Sequence, residues 1–151
     1  MSPTIPIGAT APEFAAPRQD GSLLRLSEYR GRPVILYFFP RAGTPGCTRE
    51  AEGFAERYRE LQAKGVEVVG ISTDPVERQA RFAADCRVPF PLLSDADHAV
   101  ARSYGVLGLL GLSKRVTFVL SADGVVVDVI SGLLPGPHVR GAIDRFLTSP
   151  V

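Results

Sequence analysis

Apolar residues fall into distinct patterns along this chain. Val34 to Phe39 is an unbroken apolar run with no polar alternation, which predicts a strand buried on both faces at the centre of a sheet. After a Gly/Pro-rich break, Ala51, Phe54, Ala55, Tyr58 and Leu61 recur at helical spacing, while Arg49, Glu52, Glu56, Arg57, Arg59 and Glu60 fill the opposite side. That amphipathic helix ends at Lys64-Gly65, a cation in the last turn followed by a residue free to adopt positive φ. Val66 to Ser72 is a second buried strand. Strand, helix and strand in this order form a right-handed parallel βαβ unit.

The flanking segments add shorter elements. Phe14–Arg18 and Leu23–Leu26 surround Gln19-Asp20-Gly21-Ser22, a hairpin signal near the N-terminus, and Ser27 suits the cap of a short turn before Gly31. Asp74-Pro75 is a cap-plus-proline start for a helix through Val76, Ala80, Phe82, Ala83 and Cys86. Val88–Leu93 reads as extended, and Asp95 or Asp97 caps a brief helix ending near Tyr104-Gly105. Val106 to Leu112 is apolar but broken by glycines, so it predicts a loop that is either core or an exposed patch. Arg115–Leu120 and Val125–Ile130 are strands joined at Ala122-Asp123-Gly124. A last helix after Pro137 puts Val139, Ala142, Ile143, Phe146 and Leu147 on one face. This order predicts an α/β protein: a mixed central sheet with helices on both faces and an N-terminal hairpin, the thioredoxin-like architecture.

Composition narrows the function. The 151 residues are expected to form one domain, and 45% apolar with 22% charged residues is ordinary for a soluble globular chain. A net charge of +1 with interspersed signs gives no electrostatic footprint for nucleic acid or a membrane surface. Residues 1–6 lack the charged and apolar regions of a signal peptide, and no apolar stretch approaches the roughly 20 residues of a membrane span. Two cysteines cannot build a disulfide framework, so they read as thiols in a reducing, cytoplasmic setting.

One of the two sits where a reactive thiol is expected. Thr44 suits an N-cap, Pro45 the first helical position, and Cys47 the third, among the free amides of the helix start. Partial positive charge there favours a thiolate over a thiol. Gly46 leaves room for a substrate to approach the Gly46 and Cys47 amides, and the Thr44 hydroxyl can accept from a substrate and donate to the thiolate. A lone cysteine in a helix's first turn is ordinarily a small buried hydrophobe; its neighbours argue otherwise.

The spacing Pro40-x-x-x-Thr44-x-x-Cys47 resembles the active-site motif of the peroxiredoxins, and Thr44 to Ala51 resembles the Prx Q, or bacterioferritin comigratory protein, subfamily. The likeness runs from Gly8–Phe14 to the final helix and implies the same thioredoxin-like fold. It also implies a peroxidatic role for Cys47, with Pro40 shielding the site, and a stabilising arginine at the start of a later strand, which Arg115 of Arg115-Val116-Thr117-Phe118 matches. Glu50 matches a position that orients an arginine, although charged helix residues are mostly solvated. The implied activity is reduction of hydrogen peroxide and organic hydroperoxides through a cysteine sulfenic acid, recycled by thioredoxin, with no prosthetic group or metal. The oligomeric state is monomer or homodimer.

Cys86 has two readings. The subfamily slot nearest Cys47 holds Glu52, and the alternative slot lies in the helix of Cys86, about one turn earlier. Cys86 is therefore a candidate resolving cysteine or a core residue beside Ala83; if it does not resolve, an outside thiol reduces Cys47. Helix order puts the two cysteines at opposite ends of the sheet, about 15 Å or more apart, whereas a disulfide needs Cα atoms within about 7 Å. His98 and His138 are not at metal-ligand spacing with either cysteine and read as surface residues. Two rivals remain: a thioredoxin-class thiol–disulfide oxidoreductase, disfavoured by the lack of Cys-x-x-Cys, and a non-catalytic interaction module.

Overall fold

The computed structural model describes residues 4–147. Two short strands, β1 (Ala15–Pro17) and β2 (Leu23–Arg25), pair as the antiparallel hairpin predicted around Asp20-Gly21. The main sheet holds β3 (Val34–Phe38), β4 (Glu67–Ser72), β5 (Leu92–Ser94), β6 (Val116–Leu120) and β7 (Val126–Ser131), in the order β5-β4-β3-β6-β7. β3, the predicted central strand, is parallel to β4 and antiparallel to β6, so the sheet is mixed.

Strand pleating divides the core in two. Ile35, Tyr37 and Phe39 point to one face, where they meet α1 (Pro45–Ala63), α2 (Val76–Cys86) and α4 (Pro135–Asp144). Val34, Leu36 and Phe38 point to the other, against the hairpin and α3 (Ala99–Ser103). Phe54 of α1 stacks on Tyr37 with ring centroids 4.8 Å apart, and Phe82 of α2 lies 5.7 Å from Phe39. Each such buried ring stabilises the fold by roughly 2–3 kcal/mol. The strand that leads into Cys47 is thereby clamped on both sides.

Capping details differ from the sequence reading. Lys64-Gly65 closes α1 as predicted, with Gly65 at φ +77°. Asp74 does not cap α2, whose N-cap is Pro75. Its carboxylate turns back instead and accepts from the Ala42 amide at 2.7 Å and the Ser72 hydroxyl at 2.6 Å, tying the loop before Cys47 to the start of α2. Asp95 does serve α3, accepting from the Val100 and Ala101 amides at 3.0 and 2.8 Å.

Candidate active site

Cys47 is the third residue of α1, directly beyond the end of β3. The first helical bond runs from the Thr48 amide to the Thr44 carbonyl at 2.9 Å, so the Gly46 and Cys47 amides lie ahead of the helical ladder. Thr44 occupies the N-cap with extended backbone, but its side chain makes no capping bond. The hydroxyl donates to the Arg41 carbonyl at 2.9 Å rather than to the thiolate. Its lone pairs stay available as acceptors. Pro40 is half-buried at the strand end.

Arg115 reaches the site from the loop preceding β6, opposite β3 in the antiparallel register. Its guanidinium fork is used in three directions. Nη2 lies 3.5 Å from the Cys47 sulfur, Nη1 is ion-paired with a Glu50 carboxylate oxygen, and Nε donates to the Leu133 carbonyl at 2.9 Å. Gly46 is needed for this approach, because a Cβ there would stand 3.0 Å from Arg115 Nη2. Burial opposes the charge on Arg115, but Glu50 and Cys47 outweigh it and hold the guanidinium above its ordinary pKa. An open groove of about 630 Å³ ends on Pro40 and Arg115, with Leu109, Leu112 and Leu133 along it.

Glu50 is not on a solvated helix face: it is fully buried, and burial pushes its carboxyl up to about 8 in spite of Arg115. The Glu50 and Arg115 shifts pull against each other, and burial dominates at Glu50, whose Oε2 has no partner among the described residues. Below a pH of about 4.5 both states of the chain are protonated at this residue; above it the unfolded chain loses the proton first. Stability contributed by Glu50 therefore falls as pH rises through that window. Chemical denaturation from pH 5 to 8 is expected to show wild type losing stability relative to Glu50→Gln. Parallel curves would mean that Glu50 is ionised in the fold.

The chain is also similar to proteins already known. Residues 7–129 match the model of the AhpC/TSA family. Peroxiredoxin Bcp of Escherichia coli is 40% identical over 138 residues, covering 87% of this chain and 88% of that relative. A putative peroxiredoxin of Mycobacterium tuberculosis is 47% identical over 129 residues, 82% of this chain and 84% of the relative. The chain belongs to the AhpC/TSA family, in its Bcp/Prx Q peroxiredoxin branch. Among solved structures, the M. tuberculosis peroxidoxin BcpB superposes with a TM-score of 0.86 at 44% identity, covering 93% of this chain and 95% of that one. Peroxiredoxin Q of Xanthomonas campestris gives 0.82 at 28% identity, covering 88% and 89%. The thioredoxin-like fold is thus established, and the chain is a thiol-dependent peroxidase. The disulfide-reductase and non-catalytic alternatives fall away.

In this peroxiredoxin Cys86, a free thiol like Cys47, does not lie at the far end of the sheet. The Thr48 side chain is beside its sulfur and Glu52 acts on it, so the C-terminus of α2 comes back over the first half of α1. Burial first, then Glu52 and Asp85, pushes the Cys86 thiol up.

Both histidines depart from the surface reading. His98 is half-buried at φ +66°, its ring against Gly111. His138 is fully buried, bonded to Thr117 and to the Gly132 carbonyl. Its burial was legible in the spacing, since residues 138, 142 and 146 share one face of α4. Among the described residues no group of three His, Cys, Asp or Glu is placed to hold a metal, and no helix is long and apolar enough to cross a membrane. The Val106–Leu112 segment is a loop with a short 3-10 turn, and its two readings divide along it: Val106 is fully buried and Leu107 packs on the core, whereas Leu109 and Leu110 are 89% and 95% exposed.

Proposed function

We propose that Cys47 is the peroxidatic residue and that Arg115, Thr44 and the Gly46 and Cys47 amides form the peroxide site. The supporting observation is the Arg115 Nη2 atom 3.5 Å from a buried sulfur at the free end of a helix. The thiolate attacks one peroxide oxygen, the O–O bond breaks, and its electrons leave on the second oxygen, which takes a proton and departs as water or an alcohol. Sulfur is oxidised to sulfenic acid and the peroxide is reduced. Arg115 offers donors where negative charge develops on the leaving oxygen, Thr44 accepts a hydrogen bond from the peroxide O–H, and the proton ends on the leaving oxygen. Pro40 keeps water from the strand-end side of the site.

Hydrogen peroxide and organic hydroperoxides are the substrates on this reading, the apolar groove supporting an alkyl tail. Cys86 resolves the sulfenic acid by forming a disulfide, which thioredoxin or a similar dithiol reduces in a cytoplasmic setting. The whole reaction runs in one domain with no prosthetic group. To test it, reduced protein is mixed with one equivalent of hydrogen peroxide, and intact mass and free thiols are followed together. Rapid loss of both thiols and of two hydrogens' mass, with the disulfide mapped to Cys47–Cys86, is expected. A fast gain of one oxygen that persists would make an outside thiol the reductant, and no fast change would sink the Cys47 assignment.

A further inference from the structure

One of the three contacts that orient Arg115 comes from a loop that has little to hold it. Its Nε donates to the Leu133 carbonyl at 2.9 Å, yet Leu133 and Leu134 are 89% and 70% exposed. β7 ends at Ser131, and Gly132 follows at φ +126°, so residues 132–134 leave the sheet with neither strand partners nor a packed side chain. A carbonyl on a loose turn cannot fix a guanidinium to a few tenths of an ångström.

The restraint on that loop comes from α4. His138, in the first turns of that helix and fully buried, places Nε2 at 2.9 Å from the Gly132 carbonyl and Nδ1 at 2.9 Å from the Thr117 hydroxyl. A carbonyl only accepts, so Nε2 carries the proton. In the neutral ring Nδ1 is then the acceptor and the Thr117 hydroxyl donates to it. Thr117 lies on β6, two residues beyond Arg115, and is itself fully buried. The ring thus spans from the rigid strand that follows Arg115 to the loop whose next carbonyl Arg115 uses. Burial, with Arg115 nearby, disfavours the charged ring and keeps this donor–acceptor pattern.

We infer that His138 is a positioning residue for Arg115. It pins Gly132, so that the Leu133 carbonyl sets the guanidinium plane and Nη2 meets the Cys47 sulfur. The inference rests on the assignment of Cys47 and Arg115 as the reacting thiol and its partner.

Two substitutions separate the two bonds of the ring. His138→Gln sets an amide nitrogen near the place of Nε2 and keeps the bond to Gly132. His138→Asn is shorter, keeps a partner for Thr117 and loses Gly132. Both keep the buried site polar, and melting curves confirm that the folded protein is being compared. The readout is the second-order rate of Cys47 oxidation by hydrogen peroxide, measured by stopped flow with Cys86→Ser as the common background. Asn is expected to slow it about tenfold or more, and Gln to stay within about threefold of His. In an Arg115→Lys background, which has no Nε to bond Leu133, Asn and Gln are expected to be equal. Equal rates for Asn and Gln with Arg115 present, or the same Asn penalty without it, overturn the role. If Arg115→Lys alone leaves the rate unchanged, the assignment of Arg115 fails and the inference falls with it; if Cys47 does not oxidise at all, the site reading has failed.

Discussion

Arg115→Lys is expected to slow the first oxidation of Cys47 on the order of 100-fold, although it conserves the charge. The reason lies in the three directions in which the guanidinium is held: Leu133 on Nε, Glu50 on Nη1 and Cys47 on Nη2. An ammonium is a point charge that satisfies one or two of these and leaves the others bare. Losing a preorganised donor at the atom where charge develops costs about 3 kcal/mol of barrier, which sets the size of the effect. A second consequence follows at Glu50, which is fully buried and paired with Arg115. Replacing the fork by an ammonium leaves this buried carboxyl less well paired and destabilises the fold by less than the roughly 3–5 kcal/mol that loss of the charge itself would cost. Stopped-flow oxidation and chemical denaturation on the same preparation distinguish the two effects. A rate within about threefold of wild type would mean that charge alone, and not the fork, serves the reaction.

Much of this site can be read from local rules, because local rules build it. The unbroken apolar run of β3 requires burial on two faces, and Thr44-Pro45 fixes where α1 begins, so Cys47 is placed at a helix start by sequence alone. Arg115 is different in kind. Nothing near it in sequence points to Cys47, 68 residues away, and only the family likeness joined them. Polarity misleads where it overrides the periodicity of an apolar face. Glu50 lies four residues before Phe54 and His138 four before Ala142, so both sit on buried helix stripes, but their charge and polarity read as solvent-facing. Each is buried because a distant partner receives it: Arg115 for Glu50, Thr117 and Gly132 for His138. Asp74 and Thr44 show the same limit on a smaller scale. Both stand where a cap belongs, and both spend the side chain on a loop carbonyl or amide that sequence spacing does not reveal.

Cys86→Ser is expected to leave the first oxidation within about threefold of wild type while cutting steady-state turnover with thioredoxin on the order of 100-fold. The Cys86 thiol stands beside Thr48, next in sequence to Cys47, so the two cysteines belong to one end of the α1–α2 pair. The Cys47 side chain, however, is turned inward to Arg115 and is only 1% exposed. A disulfide therefore requires the start of α1 or the end of α2 to unravel. The end of α2 is the cheaper place: the helix stops in a left-handed cap at Arg87, a non-glycine residue at φ +52°, and Ala84, Asp85 and Arg87 are exposed. Release of that turn also removes the burial and the Glu52 charge that hold the Cys86 thiol up. Resolution is thus expected to lag behind oxidation and to accelerate as pH rises towards the thiol's own titration, since only the thiolate attacks the sulfenic sulfur. Rapid mixing followed by acid quench and mapping of the disulfide at a series of pH values reads both rates. Undiminished turnover in Cys86→Ser would return this cysteine to a packing role and make an external thiol the one that reduces Cys47.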